Sequence, residues 1–91
     1  MNRSKALETV EQILEDRGAN YGDLRENWDQ TAKMIEMIVG VDIRPEQFGA
    51  IMIAMKLSRL SNADCQHLDS LLDIIGYAAL TIEILGDTDE H

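Results

Sequence analysis

The stretch KLSRLSNADCQHLDSLLDIIGY, residues 56–77, places two basic residues before a short polar turn and two acidic residues after it. The basic residues are Lys56 and Arg59, and the acidic residues are Asp69 and Asp73. Apolar residues at helical spacing flank the turn, which predicts two antiparallel helices joined near residues 62 and 63. In that hairpin Lys56 lies level with Asp69, Arg59 lies nearer the turn, and Asp73 lies one turn deeper.

The periodicity of the rest of the chain predicts two further helices and no strands. We therefore expect an all-α fold, a four-helix antiparallel bundle, in a single domain over residues 1–86 followed by a polar tail at 87–91. Capping residues and glycines predict the helix ends: Ser4 to about Arg17 with Gly18 as the stop, Asp23 to Gly40, Pro45 to about Leu60, and Asn62 or Asp64 to Leu85 with Gly86 as the stop.

Composition narrows the classes of function. The net charge of −9 should repel nucleic-acid phosphates, so we expect no direct nucleic-acid binding. No apolar run reaches the roughly 18 residues of a membrane span, and we expect no membrane partner. Cys65 is the only cysteine, which excludes an internal disulfide and suits a reducing compartment. These features predict a cytoplasmic protein.

The two helices of the hairpin are too apolar for one short chain to bury. An α-helix turns by about 100° per residue, and the third helix is apolar on nearly every side. On the fourth helix one stripe forms the predicted primary core: Leu68, Leu71, Leu72, Ile75, Ala79 and Ile82. We therefore expect a homo-oligomer, a dimer or a tetramer, with the third and fourth helices forming much of the interface.

The charged residues of the hairpin have two interpretations. In the first interpretation, they form a partly buried ion-pair network that fixes the register of the helices. Alternatively they line a pocket, in which Lys56 and Arg59 bind phosphate oxygens while Asp69 and Asp73 hold a metal ion or a polar group. Geometry predicted from the sequence favours the ion-pair network, because such networks also produce clusters of this kind.

A second candidate site lies in RGANYGDLRENW, residues 17–28. Arg17, Tyr21, Asn27 and Trp28 cluster around a turn that leads into a helix N-terminus. Such an end can bind an anion, and an aromatic ring can stack on a base. The alternative is a well-capped loop with Trp28 in the core.

Three stretches together resemble a family of small phage and prophage proteins: RGANYGDLRENW, PEQFGAIMIAMKLSRL and HLDSLLDIIGYAAL. The family pattern is R-x-x-x-Y-G-x-x-x-x-N, then K-x-x-R, then D-x-x-x-D-x-x-G-Y. The matching residues here are Arg17, Tyr21, Gly22, Asn27, Lys56, Arg59, Asp69, Asp73, Gly76 and Tyr77. That family is similar in turn to the all-α, MazG-like nucleoside triphosphate pyrophosphohydrolases, which hold magnesium with E-x-x-E on one helix and E-x-x-D on the next.

The chain departs from the MazG-like pattern at the metal ligands. Asp73 matches the aspartate, but Ser70 stands at the glutamate position, and Lys56 and Arg59 stand where the E-x-x-E pair is expected. Magnesium needs several oxygen ligands, which two positive charges oppose. Asp69 and Asp73 are the remaining metal candidates, with help from Glu26 or Asp29.

The resemblance implies a protein that binds a nucleotide or another phosphate-bearing ligand, with degenerate or absent hydrolase activity. Magnesium is the candidate cofactor. The expected ligand-binding residues are Lys56, Arg59, Asp69, Asp73, Tyr77, Arg17, Tyr21 and Asn27. The alternative is an acidic interaction module that modulates a host or phage protein and binds no small ligand.

Overall fold

The computed structural model describes residues 1–86, apart from the side chains of Asn20 and Tyr21. Four α-helices follow one another: α1 Arg3–Tyr21, α2 Leu24–Val39, α3 Pro45–Asn62 and α4 Leu68–Gly86. This part of the chain contains no strand, which confirms the all-α prediction. None of its helices is long and apolar enough to cross a membrane. The predicted tail at 87–91 lies outside the described residues.

The ends of α2 and the start of α3 follow the predicted capping signals. Asp23 caps α2 by accepting a hydrogen bond from the Glu26 backbone N–H at 2.9 Å, and Gly40 ends the helix in the left-handed conformation. Pro45 opens α3, and the Glu46 carboxylate follows it. A hydrogen bond from its own backbone N–H, together with the Arg44 side chain, holds the pKa of Glu46 below its usual range.

Helix α1 begins and ends at other residues than predicted. Asn2, not Ser4, is its cap and accepts a hydrogen bond from the Lys5 backbone N–H at 2.9 Å. The helix also continues past Gly18, because a glycine inside a helix costs only about 1 kcal/mol. It ends at Gly22, whose φ of 79° and ψ of −147° suit glycine alone.

The start of α4 also differs from the prediction. Asp64 and Cys65 have positive φ values of 55° and 59°, and the Cys65 N–H donates to the Leu60 carbonyl at 2.9 Å. Asp64 thus helps to end α3 and cannot cap α4, and Asn62 is the last residue of α3. His67 is the cap instead, because its Nδ1 accepts from the Ser70 backbone N–H at 3.2 Å.

Helices α3 and α4 form an antiparallel hairpin. Gly49 faces Thr81, and Lys56 Nζ lies 3.0 Å from Asp73 Oδ2. The connection at 63–67 is longer and centred later than predicted, so Lys56 meets Asp73 and not Asp69. The Lys56 side chain is 15% exposed and that of Asp73 is 37% exposed, which makes this a half-buried pair.

Helix α1 packs on α4 and runs in the same general direction. Val10 and Leu14 lie against Gly76, and Gly18 and Glu83 line one groove further along. The antiparallel order therefore holds for α3 and α4 but not for α1 and α4. Only two residues link α1 to α2, and this short corner leaves the two helices splayed.

The core of the described chain is small. Its buried apolar side chains are Val10, Trp28, Ala32, Leu60, Leu72 and Ile84. The Trp28 and Phe48 rings meet edge to face, with centroids 4.9 Å apart and planes at 83°. Arg25 ties α2 to the last turn of α4, because its Nη2 donates to the Ile84 carbonyl at 2.6 Å.

The stripe of α4 that was predicted to be the primary core is mostly uncovered. Leu68, Leu71 and Ile82 are 47%, 41% and 69% exposed, whereas Leu72 is buried. Helices α1 and α3 cover other sides of α4, and no further helix within residues 1–86 covers this one.

We predict that Gly49→Ala destabilises the protein by about 1–3 kcal/mol, because overpacking at this contact forces atoms apart. A Cβ at Gly49 would overlap Thr81 Oγ1 and lie 3.0 Å from Trp28 Cζ3. Gly76→Ala is the matched control: its Cβ would lie 3.6 Å from Leu14 Cδ2, an ordinary contact. The control should be neutral or up to about 1 kcal/mol more stable through helix propensity. Urea unfolding of both variants measures the difference, and equal effects would contradict this account.

We predict a coupling energy of about 1 kcal/mol between Lys56 and Asp73, between the values typical of exposed and of buried ion pairs. The measurement is a double-mutant cycle of Lys56→Ala and Asp73→Ala by urea unfolding. The control cycle uses Arg44 and Glu46, 2.9 Å apart but with the Arg44 side chain 68% exposed, and should give less than about 0.5 kcal/mol. No coupling at Lys56 and Asp73 would show that the pair does not fix the hairpin register.

Candidate functional site

A groove of about 570 Å³ opens between the splayed helices α1 and α2, and α3 and α4 contribute to its floor. Its volume lies within the range of small-molecule sites, roughly 300–1,000 Å³. Apolar side chains from all four helices line it: Leu14, Leu24, Trp28, Phe48 and Leu80. The splay follows from the Gly22–Asp23 corner, which keeps α1 from packing along α2.

The polar lining of the groove is strongly acidic. Four carboxylates border it: Glu11 and Glu15 of α1, Asp23 at the start of α2, and Glu83 of α4. Arg17 is the one cation among the described lining residues, and its guanidinium carbon lies 6.0 Å from the centroid of the Tyr77 ring. Such a lining favours ligands that donate hydrogen bonds and disfavours ligands with several negative charges.

A small cleft of about 20 Å³ adjoins the groove and shares Leu14, Arg17, Tyr77 and Leu80 with it. Asp73 lines this cleft. The half-buried Lys56–Asp73 pair therefore lies beside the Arg17–Tyr77 end of the groove.

The structure brings together only part of the predicted ligand-binding set. Arg17, Asn27 and Tyr77 line the groove, and Lys56 and Asp73 lie next to it as an ion pair. Arg59 and Asp69 are exposed and make no hydrogen bond or ion pair in the described part of the chain. The Tyr21 side chain lies outside the described residues.

The predicted metal ligands do not converge. Asp73 pairs with Lys56, and Asp29 lies 4.0 Å from Arg25. Within residues 1–86, no three His, Cys, Asp or Glu side chains form a group that could hold a metal ion. Residues 1–86 therefore present no such group of oxygen ligands for a magnesium ion.

Reading the sequence missed Glu11, Glu15, Glu83 and Phe48 as groove residues. Glu11 and Glu15 are exposed, and they border the groove. One signal was present: Glu11, Leu14, Glu15 and Gly18 share a helical face that ends at the glycine-containing corner. Glu83 and Phe48 had no comparable signal, because the angle between α1 and α2 brings them into the site.

Comparison with known proteins identifies the family. Residues 5–85 match the family described as domain of unknown function DUF6378. The Gene 55 protein of Mycobacterium phage L5 is 33% identical over 87 residues, which is 93% of this chain and 55% of that protein, so the chain spans about half the length of this curated relative. No solved structure matches the chain. The match to a phage protein agrees with the resemblance to phage proteins, and the chain belongs to the DUF6378 family.

Proposed function

We propose that this protein binds a nucleoside-type ligand, a nucleoside or a nucleoside monophosphate, in the groove between α1 and α2. It acts as a homo-oligomer in the cytoplasm of an infected or lysogenic bacterium. The observation that carries the proposal is an apolar, aromatic-floored groove of small-molecule size with one guanidinium beside a tyrosine ring. Aromatic floors suit planar bases, and the carboxylates at the rim suit hydroxyl and amino groups.

The charge of the groove indicates how many phosphate groups the nucleoside-type ligand carries. Four carboxylates face a single guanidinium, so a triphosphate would bring further negative charge against an acidic wall. Arg17 can contact one phosphate group, because a guanidinium binds phosphate oxygens in a bidentate manner. A nucleoside with no phosphate or with one is therefore the better occupant.

The roles of the predicted residues change accordingly. We assign phosphate contact to Arg17, and contacts with the sugar or base to Asn27 and Tyr77. Lys56 neutralises Asp73 and supports the end of the groove, while Arg59 and Asp69 take no part. Tyr21 remains a candidate for ligand contact, because it directly precedes Gly22 in the sequence.

The proposed relation to MazG-like proteins concerns the fold and does not include their hydrolase activity. It rests on the helix that carries Asp73, Gly76 and Tyr77 and on the four helices. Because no group of magnesium ligands forms among the residues that the structure describes, we propose no hydrolytic step.

We predict that nucleosides and monophosphates raise the melting temperature and change the emission of Trp28, the only tryptophan, which lines the groove. Differential scanning fluorimetry and tryptophan fluorescence with nucleosides, monophosphates and triphosphates, each with and without magnesium, measure this. Triphosphates without magnesium should raise the melting temperature less than nucleosides and monophosphates do. If no compound changes either signal, the proposal is wrong.

Two variants of matched charge identify the residue that contacts phosphate. Arg17→Ala should weaken monophosphate binding about tenfold, the value of a hydrogen bond to a charged group, and leave nucleoside binding nearly unchanged. Arg59→Ala removes the same charge outside the groove and should have no effect. An equal loss in both variants would point to general electrostatics and contradict the assignment.

The acidic rim also favours the alternative, an interaction module without a small ligand. Its partner would be a basic amphipathic segment, because the groove combines carboxylates with an apolar floor. A lysine-rich amphipathic peptide that stabilises the protein, where the nucleosides do not, would support this function instead.

A further inference from the structure

The uncovered side of α4 carries a regular apolar repeat. Its residues follow one another at spacings of three and four: Leu68, Leu71, Ile75, Ala78 and Ile82. This is the a and d spacing of a coiled coil, over about two heptads. We call these five residues the α4 seam. Leu68, Leu71 and Ile82 are large side chains that expose between 41% and 69% of their surface, and Ile75 and Ala78 are half-buried.

Two other sides of α4 pack against helices of the same chain. Gly76 contacts α1, and Thr81 faces Gly49 of α3. The α4 seam lies on neither of these sides, and the contacts of Gly76 and Thr81 do not explain the apolar character of its exposed residues Leu68, Leu71 and Ile82. A helix in water gains nothing from a regular line of leucine and isoleucine unless another surface covers it.

Charge indicates which surface covers the seam. The chain has a net charge of −9, yet the charged residues of α4 are Asp69, Asp73 and Glu83, and none belongs to the seam. The residues beside it are also uncharged apart from His67: Leu72, Ile74, Ala79 and Thr81. A second copy can therefore approach here without bringing carboxylates together, and the seam offers no charge that would select a basic partner.

The exposed area of the chain agrees with a missing partner. The chain exposes 6672 Å². A compact monomer of 10.2 kDa exposes roughly 5,300 Å². The excess is on the order of 1,000 Å², to which the open groove between α1 and α2 also contributes, and it is larger than the roughly 800 Å² that each partner buries in a standard interface.

We propose that two copies of this chain pair through their α4 seams in an antiparallel dimer with two-fold symmetry. Seam residues then pack a against d: Leu71 meets Ile82 of the second copy, and Ile75 meets Ala78 of the second copy near the two-fold axis. An antiparallel arrangement opposes the helix dipoles favourably. It also keeps apart the Glu83 carboxylates of the two copies. The inference specifies the homo-oligomer of the proposed function and is tested separately from ligand binding.

The first test is the mass in solution, measured by light scattering behind size exclusion. The wild-type chain should have twice its 10.2 kDa mass. Ile82→Glu should raise the dissociation constant roughly 100-fold or more, because the dimer would bury an unpaired charge. Ile82 is 69% exposed in the single chain, so helicity by circular dichroism should be kept. Met37→Glu, at an 84% exposed methionine on α2, is the control and should leave the dimer intact.

The second test is cross-linking by cysteines in a Cys65→Ser background. A mixture of Leu71→Cys and Ile82→Cys chains should form the mixed disulfide faster than either chain forms its own, as antiparallel pairing requires. A monomeric wild type at 100 µM overturns the proposal, and so does a dimer that Ile82→Glu does not weaken. Faster disulfide formation within each single-variant sample overturns the antiparallel arrangement. Nucleoside binding by monomeric Ile82→Glu would leave the groove assignment standing, so the two proposals fail independently.

Discussion

The close approach of α3 and α4 at Gly49 is the contact on which the rest of the fold depends. Without a side chain at this position, Thr81 of α4 and the edge of the Trp28 ring meet the α3 backbone directly. Trp28 then reaches Phe48, which fastens α2 to the hairpin. Three helices thus converge on one glycine. The aromatic floor of the groove is a product of that convergence, because both rings line it.

Local signals in the sequence predicted the helices well and their arrangement less well. Asp23, Gly40 and Pro45 act within one turn of their own helix, so their capping roles can be derived from spacing alone. Asp64 shows the limit of such reasoning, because an aspartate before a helix can cap it or can adopt a positive φ and end the previous helix. That choice moved the hairpin register by one turn and gave Lys56 the partner Asp73 in place of Asp69.

The candidate site could be predicted only in part, for a geometric reason. Arg17, Asn27 and Tyr77 were found because they belong to a recognisable motif and stand near the corner or on α4. The acidic rim was not found, because its members come from α1, the start of α2 and the end of α4. Residues so far apart in sequence meet only through the angle between α1 and α2, which no periodicity encodes. The predicted core stripe of α4 was wrong for a related reason. Helical spacing identifies an apolar face of a helix but does not show which surface covers it.

The backbone conformation of Gly22 limits how substitutions can change the shape of the groove. Its φ and ψ values lie in a region that side chains with a Cβ rarely enter, so the corner between α1 and α2 depends on one conformation of one residue. Nothing within 4 Å would obstruct a Cβ there, which means that backbone strain and not crowding excludes other residues. Substitutions along the walls can therefore alter which molecules the groove accepts, while its width at this end stays set by the main chain.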